Sequence, residues 1–161
     1  MTTFLGAYNT SILAIPAYHV LSFLPHAYAA WVATKGNLVK WDNRNPRSTE
    51  LHATLKEKLD AETYARYERA EACHANGMEN LPLFATTVIL GNLAGLKKDG
   101  LHGMTGFVSI YLGLRLAYTG VYLSTDTQGP TYIRSGIWIA SVVLCFRVIA
   151  DAAKKLGTAG F

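Results

Sequence analysis

Hydrophobic positions run along this chain in four long blocks, parted by two short polar interruptions and one long charged one. No charged residue occurs in 1–34. Between Glu79 and Asp126 only Lys97, Lys98, Asp99 and Arg115 carry charge, and beyond Asp126 only Arg134, Arg147, Asp151, Lys154 and Lys155. A helix of a water-soluble bundle needs a polar face, and these blocks have no continuous one. About 20 mostly apolar residues suffice to cross a bilayer. The pattern therefore predicts an all-α, four-helix transmembrane bundle in a single domain, 1–161, with spans at about 10–34, 73–96, 101–124 and 133–153. Pro16 and Pro25 should kink the first span. The charge-free part of the second, Asn80–Leu96, is short, so its first turns should stand in the interface or the protein interior. Tyr8, Trp31, Trp41, Tyr132 and Trp138 lie near span ends, as interfacial anchors do. The first block lacks the basic flank and cleavage site of a signal peptide and is expected to be retained as a span.

Composition agrees. Half of the 161 residues are hydrophobic and 16% are charged, against roughly 25% in soluble domains, and disorder is excluded by the same numbers. Cys73 and Cys145 are too few for a disulfide framework and lack metal-ligand spacing, so no metal is expected. His19 and His26, seven apart on the first span, are expected to be interior hydrogen bonders, and His52 and His102 surface residues. Eight basic and seven acidic residues crowd Lys35–Glu71. Because acids there match the bases and no aromatic–basic platform is present, no nucleic-acid partner is expected. The same bases favour a cytosolic first loop, with both termini across the membrane. Within it Leu51, Leu55 and Leu59 recur at helical spacing. They predict a short amphipathic helix lying on the membrane, on the bundle, or free as a solvated linker.

Ionisable and polar groups at membrane depth are costly and usually mark function. At 100° per residue, Ala72, Asn76, Glu79 and Leu83 share one face of the second span. Arg115, Tyr118 and Tyr122, at i, i+3 and i+7, share one of the third. Glu79 and Arg115 could neutralise each other between helices, and Arg147 and Asp151 could pair at i, i+4. Asn76, Tyr118 and Tyr122 could be interhelical hydrogen bonders. Together with Glu79 and Arg134 they could equally line a site for a polar, anionic ligand.

The run Arg69-Ala-Glu-Ala-Cys-His-Ala-Asn-Gly-Met-Glu-Asn-Leu-Pro-Leu-Phe84 resembles the second-helix signature of the MAPEG family, the membrane-associated proteins in eicosanoid and glutathione metabolism. Arg115, Tyr118 and Tyr122 resemble its third-helix pattern, and Arg134-Ser135 the opening of the fourth helix in some members. The resemblance implies a homotrimer in the endoplasmic reticulum membrane. Glutathione would be bound between subunits, and a lipophilic substrate would arrive from the bilayer. Carried over by position, His74, Asn76, Glu79, Tyr118 and Tyr122 match glutathione-binding places. Arg134 and Ser135 match catalytic groups that stabilise the thiolate, and Glu79–Arg115 a structural ion pair. Ala72 stands where the family usually has an arginine. The resemblance implies a glutathione transferase or isomerase. A glutathione-independent isomerase or cyclase of a hydrophobic metabolite is a second reading, and a non-catalytic lipid-binding protein a third.

Overall fold

The computed structural model describes residues 8–158; the ends of the expected domain, 1–7 and 159–161, lie outside them. The described chain is helical: α1 (Thr10–Ala33), α2 (Thr49–Lys58), α3 (Ala61–Leu93), α4 (Met104–Ser124) and α5 (Thr131–Thr158), with a 3₁₀ turn at Leu38–Lys40 and no strand. Three of these, α1, α4 and α5, are long and apolar enough to cross a membrane. α3 differs from the expected second span. It begins at Ala61 instead of near Cys73, runs for 33 residues, and falls outside the apolar set. Its early start has a local cause. The Asp60 carboxylate caps the helix by accepting from the Thr63 amide and hydroxyl, which also holds the Asp60 pKa below its ordinary value, and no breaker follows until Pro82. α1 continues through both Pro16 and Pro25.

α1 and α3 run antiparallel, as their paired residues show. The Asn9 amide donates to Asn92 Oδ1 at 2.7 Å, the Tyr18 hydroxyl to the Gly77 carbonyl at 3.1 Å, the His74 ring to the Ser22 carbonyl at 2.9 Å, and His26 Nδ1 meets Glu71 Oε1 at 2.8 Å. Partner numbers rise along one helix as they fall along the other. In an apolar solvent such helices associate through close packing and interhelical hydrogen bonds, and small residues make this seam possible. A Cβ built on Gly77 would lie 2.8 Å from both Cβ and Oγ of Ser22 and 3.2 Å from its Cα.

Two apolar clusters flank the seam. Ala14, Tyr18, Phe84, Val88, Met104, Phe107, Val108, Tyr111, Cys145 and Val148 form the larger, joining α1, α3, α4 and α5. At its centre Phe84 stacks on Tyr111 at 4.2 Å between ring centroids, and Tyr18 meets both rings edge-on at 5.2 Å. Such pairs contribute about 0.5–1.5 kcal/mol each beyond burial. The smaller cluster settles what α2 does. Leu55 is buried against Ala29, Val32, Ala33, Tyr67 and Ala70, with Leu51 and Leu59 beside it. The leucine stripe seats on the bundle.

Gly77→Ala should lower thermal stability in detergent by about 1–3 kcal/mol, the usual cost of overpacking. Adding Ser22→Gly should recover part of the loss. Equal melting temperatures for wild type and Gly77→Ala would show that the seam is loose.

Candidate functional site

The α1–α3 seam fixes the rotational phase of α3. With His74 and Gly77 turned inward against Ser22, Ala72, Asn76 and Glu79 form a stripe along the outer side. A concavity lies on each flank of that stripe.

On the α4 side, Asn76, Tyr118, Tyr122, Arg134, Ser135 and Trp138 line one cavity of about 180 Å³. α4 presents its two tyrosines one turn apart, with rings edge to face at 5.5 Å. After the Gly129-Pro130 turn, the first turn of α5 lays the Arg134 guanidinium over the Tyr122 ring, 4.1 Å from its centroid. Arg115 lies 4.3 Å over the Tyr118 ring and 5.7 Å from that of Tyr18. The result is a ladder of guanidinium, two phenols and guanidinium. Cation–π contacts contribute about 0.5–2 kcal/mol each, yet they do not neutralise charge. Among the described residues, no carboxylate lines the cavity and neither arginine has an ion pair. Arg115 is buried with Nε and Nη1 unbonded. The Ser135 hydroxyl donates to the Thr131 carbonyl at 3.0 Å.

On the other flank, His74 and Glu79 line a separate concavity of about 480 Å³ with Arg47, His52, Glu71, Ala72, Ala75 and Met78. Because the Ser22 carbonyl can only accept, His74 donates through Nδ1, and neutral His74 has Nε2 as its free basic nitrogen. Behind it, Glu71 pairs with His26, whose ring centroid lies 5.2 Å from that of His74.

Five of the seven ligand-facing candidates therefore meet in one cavity, while His74 and Glu79 lie round the helix from them. The expected Glu79–Arg115 pair does not form within the chain. Glu79 is exposed and Arg115 is buried, turned inward onto the Tyr18 and Tyr118 rings. Arg147 and Asp151 do not pair with each other either; both are exposed on α5. His26 bonds in the half-buried interior as expected, whereas His19 is exposed. His52 is half-buried, its ring 5.5 Å from that of Tyr67, and not a free surface residue. In the first loop, Asp42 chelates Arg44, which holds its carboxyl down to about 2. Arg44 is exposed and Asp42 half-exposed, and such surface pairs add little stability.

The sequence model of the MAPEG family matches residues 12–153, nearly the whole chain. The chain belongs to the MAPEG family. No curated protein and no solved structure shows significant similarity to it. Among the described residues of this MAPEG chain, no three His, Cys, Asp or Glu side chains are grouped so as to hold a metal ion. Two features of the site went unread in the sequence. Trp138 lines the cavity on the α4 side, and its i+4 spacing from Arg134 was the available signal. The His26–Glu71 pair joins different helices, so no local spacing announces it.

The Arg134–Tyr122 contact is testable by a double-mutant cycle on thermal stability. Tyr122→Leu with Arg134→Ala should give a coupling of about 0.5–1 kcal/mol. Tyr122→Phe, which keeps the ring, should retain it. Coupling lost equally in the phenylalanine variant would assign the contact to the hydroxyl instead.

Proposed function

We propose that this MAPEG protein is a glutathione transferase or isomerase that binds glutathione at an intersubunit cleft and acts on a lipophilic substrate entering from the bilayer. One observation carries the reading. Arg134 stands in a cavity with Asn76, Tyr118, Tyr122 and Ser135, and no carboxylate among the described residues pairs with it. A half-buried cation held over an aromatic ring, without a counterion of its own among the described residues, favours an anionic guest.

The chemistry follows from the thiol. Free thiols have a pKa of about 8.5, and the thiolate is the nucleophile. A guanidinium aimed at sulfur in a low-dielectric cleft favours the charged form and lowers that pKa. Arg134 stabilises the thiolate, Asn76, Tyr118 and Tyr122 position the tripeptide, and Glu79 takes its amino group. Ser135 is the auxiliary donor, on rotation from the Thr131 carbonyl.

An assembly supports this arrangement. The cavity of about 180 Å³ is below the roughly 300–1,000 Å³ of small-molecule sites, so a neighbouring surface is needed to enclose a tripeptide. Exposed Glu79 would be costly against lipid, and a homotrimer that covers it removes that cost. A fourth span is supported too. α3 pairs with α1 from Asn92 to Glu71, along nearly the length of a helix fit to cross the membrane. The reading places the protein in the endoplasmic reticulum, with the basic loop cytosolic.

A second reading has its own support. His74, pinned at Nδ1 and bare at Nε2 beside Glu79, is a suitable general base for a glutathione-independent isomerase or cyclase.

Saturating glutathione should raise the melting temperature of the purified protein and give an ultraviolet thiolate absorbance at neutral pH. Arg134→Ala should reduce kcat about 10- to 1,000-fold, the scale of losing a charge-stabilising donor. The pH midpoint of thiolate formation should lie below that of free glutathione and move back up in the variant. The absence of any thermal shift or absorbance with glutathione would sink this reading. Turnover of a hydrophobic metabolite without thiols, abolished in His74→Ala, would establish the second.

A further inference from the structure

The apolar helix α1 ends at Ala33 after 24 residues. That is about 36 Å of helix, enough to cross a hydrocarbon layer of roughly 30 Å, so its end stands at headgroup depth. Lys35 and Gly36, with φ of 51° and 86°, stop the helix, and their amides donate back to the Val32 and Trp31 carbonyls. Between this turn and α2 a concavity of about 430 Å³ opens. Trp41, Leu51, Leu55 and Leu59 give it an apolar lining, and Lys35, Lys40 and Lys58 give it charge. It shares no lining residue with the cavities on the two flanks of α3.

Acids do not balance these lysines. None of the three has an ion pair among the described residues. The lining holds one described carboxylate, Asp42, and Arg44 chelates it. Asp60 is near enough to feel the Lys35 charge, but both of its oxygens accept from Thr63. The apolar lining, by contrast, is held in place. The Trp41 ring lies 6.2 Å from that of His26 and 6.4 Å from that of Tyr67, and Leu55 is buried against α1 and α3.

We propose that this concavity binds an anionic phospholipid of the leaflet facing the first loop, its phosphate among Lys35, Lys40 and Lys58 and its glycerol against Trp41, Leu51 and Leu59. Depth and charge together select that occupant. Anionic headgroups attract lysines at a membrane surface and settle in basic pockets beside membrane helices. A zwitterionic lipid brings a cation that three lysines repel, and a free phosphate leaves the apolar lining wet. The three lysines come from the end of α1, the 3₁₀ turn and α2. A bound lipid therefore ties α2 to the bundle, and occupancy stabilises the folded chain by mass action.

The test reads the melting temperature of the full chain in detergent against dihexanoyl phosphatidic acid, dihexanoyl phosphatidylcholine and inorganic phosphate. Phosphatidic acid should raise it saturably, phosphatidylcholine should not, and inorganic phosphate should act at least about tenfold more weakly. Lys40→Gln and Lys58→Gln should each weaken the apparent affinity for phosphatidic acid about fivefold. Lys97 and Lys98 follow the end of α3 that pairs with the start of α1, at the opposite end of the bundle. The Lys97→Gln/Lys98→Gln protein removes as much charge as the Lys40→Gln/Lys58→Gln protein and should still bind as wild type does. Equal shifts with the two lipids overturn the proposal, as does undiminished affinity in Lys40→Gln/Lys58→Gln. An equal loss in the two double variants overturns it too, by assigning the attraction to overall charge. Inorganic phosphate as effective as phosphatidic acid overturns the lipid assignment in favour of a free-phosphate site.

Discussion

Close approach between α1 and α3 is the constraint on which the rest of this molecule depends. Gly77 lets the two backbones meet at Ser22, and the hydrogen bonds on either side set the register. Once that seam forms, α3 has one rotational phase. His74 turns inward, while Asn76 and Arg69 face the α4 edge and Glu79 faces outward. A rotation of α3 by one residue, 100°, would take Asn76 away from the α4 tyrosines and remove the cavity. The geometry of the candidate site is thus a consequence of where the smallest side chain sits.

Electrostatics then gives the site its character. Four side chains in a row, Arg134, Tyr122, Tyr118 and Arg115, place two stacked-upon rings between two cations with no acid among them. The rings hold the guanidinium planes in place, and leave their charge unbalanced. A soluble protein would dissipate such an excess into water. Here Arg115 is buried away from that outlet and Arg134 is half-buried, so the excess positive potential favours an anion in the cavity. The opposite flank of α3 is mixed in sign, with Glu71 matched by His26, and has no comparable bias. The two flanks of one helix therefore suit different chemistry.

Much of the fold was legible because periodicity and charge spacing are local properties. α1, α4 and α5 fall within a few residues of the blocks that hydropathy marks. The leucine stripe of α2 identifies its buried side, though only the fold chooses the bundle over the membrane as its seat. α3 was misread at its start because an interfacial extension looks like loop when judged by charge; the signal that contradicts this is the Asp60 cap. Convergence of Asn76, Tyr118, Tyr122 and Arg134 was legible from helical spacing joined to family resemblance. The separation of His74 and Glu79 from that group was not. Spacing reports which residues share a stripe, but which flank of the stripe a neighbouring helix covers is a tertiary fact.

The lost ion pair shows how far such spacing can mislead. Glu79 and Arg115 are an acid and a base at similar depth on adjacent helices, and pairing them looks like the cheapest way to bury both. The bundle instead buries the base against Tyr18 and Tyr118 and leaves the acid outside. This separation is tolerable only if each charge meets another partner. Paired with each other, the two would have formed a closed structural strut, indifferent to ligands. Held apart, they leave an electropositive groove on one side of the stripe and an acceptor for a cationic group on its outer edge. A zwitterionic guest bearing both an amino group and carboxylates satisfies both demands at once, and a simple anion satisfies one. Under the proposed function, the same separation that costs the empty bundle stability is what would let it discriminate among ligands.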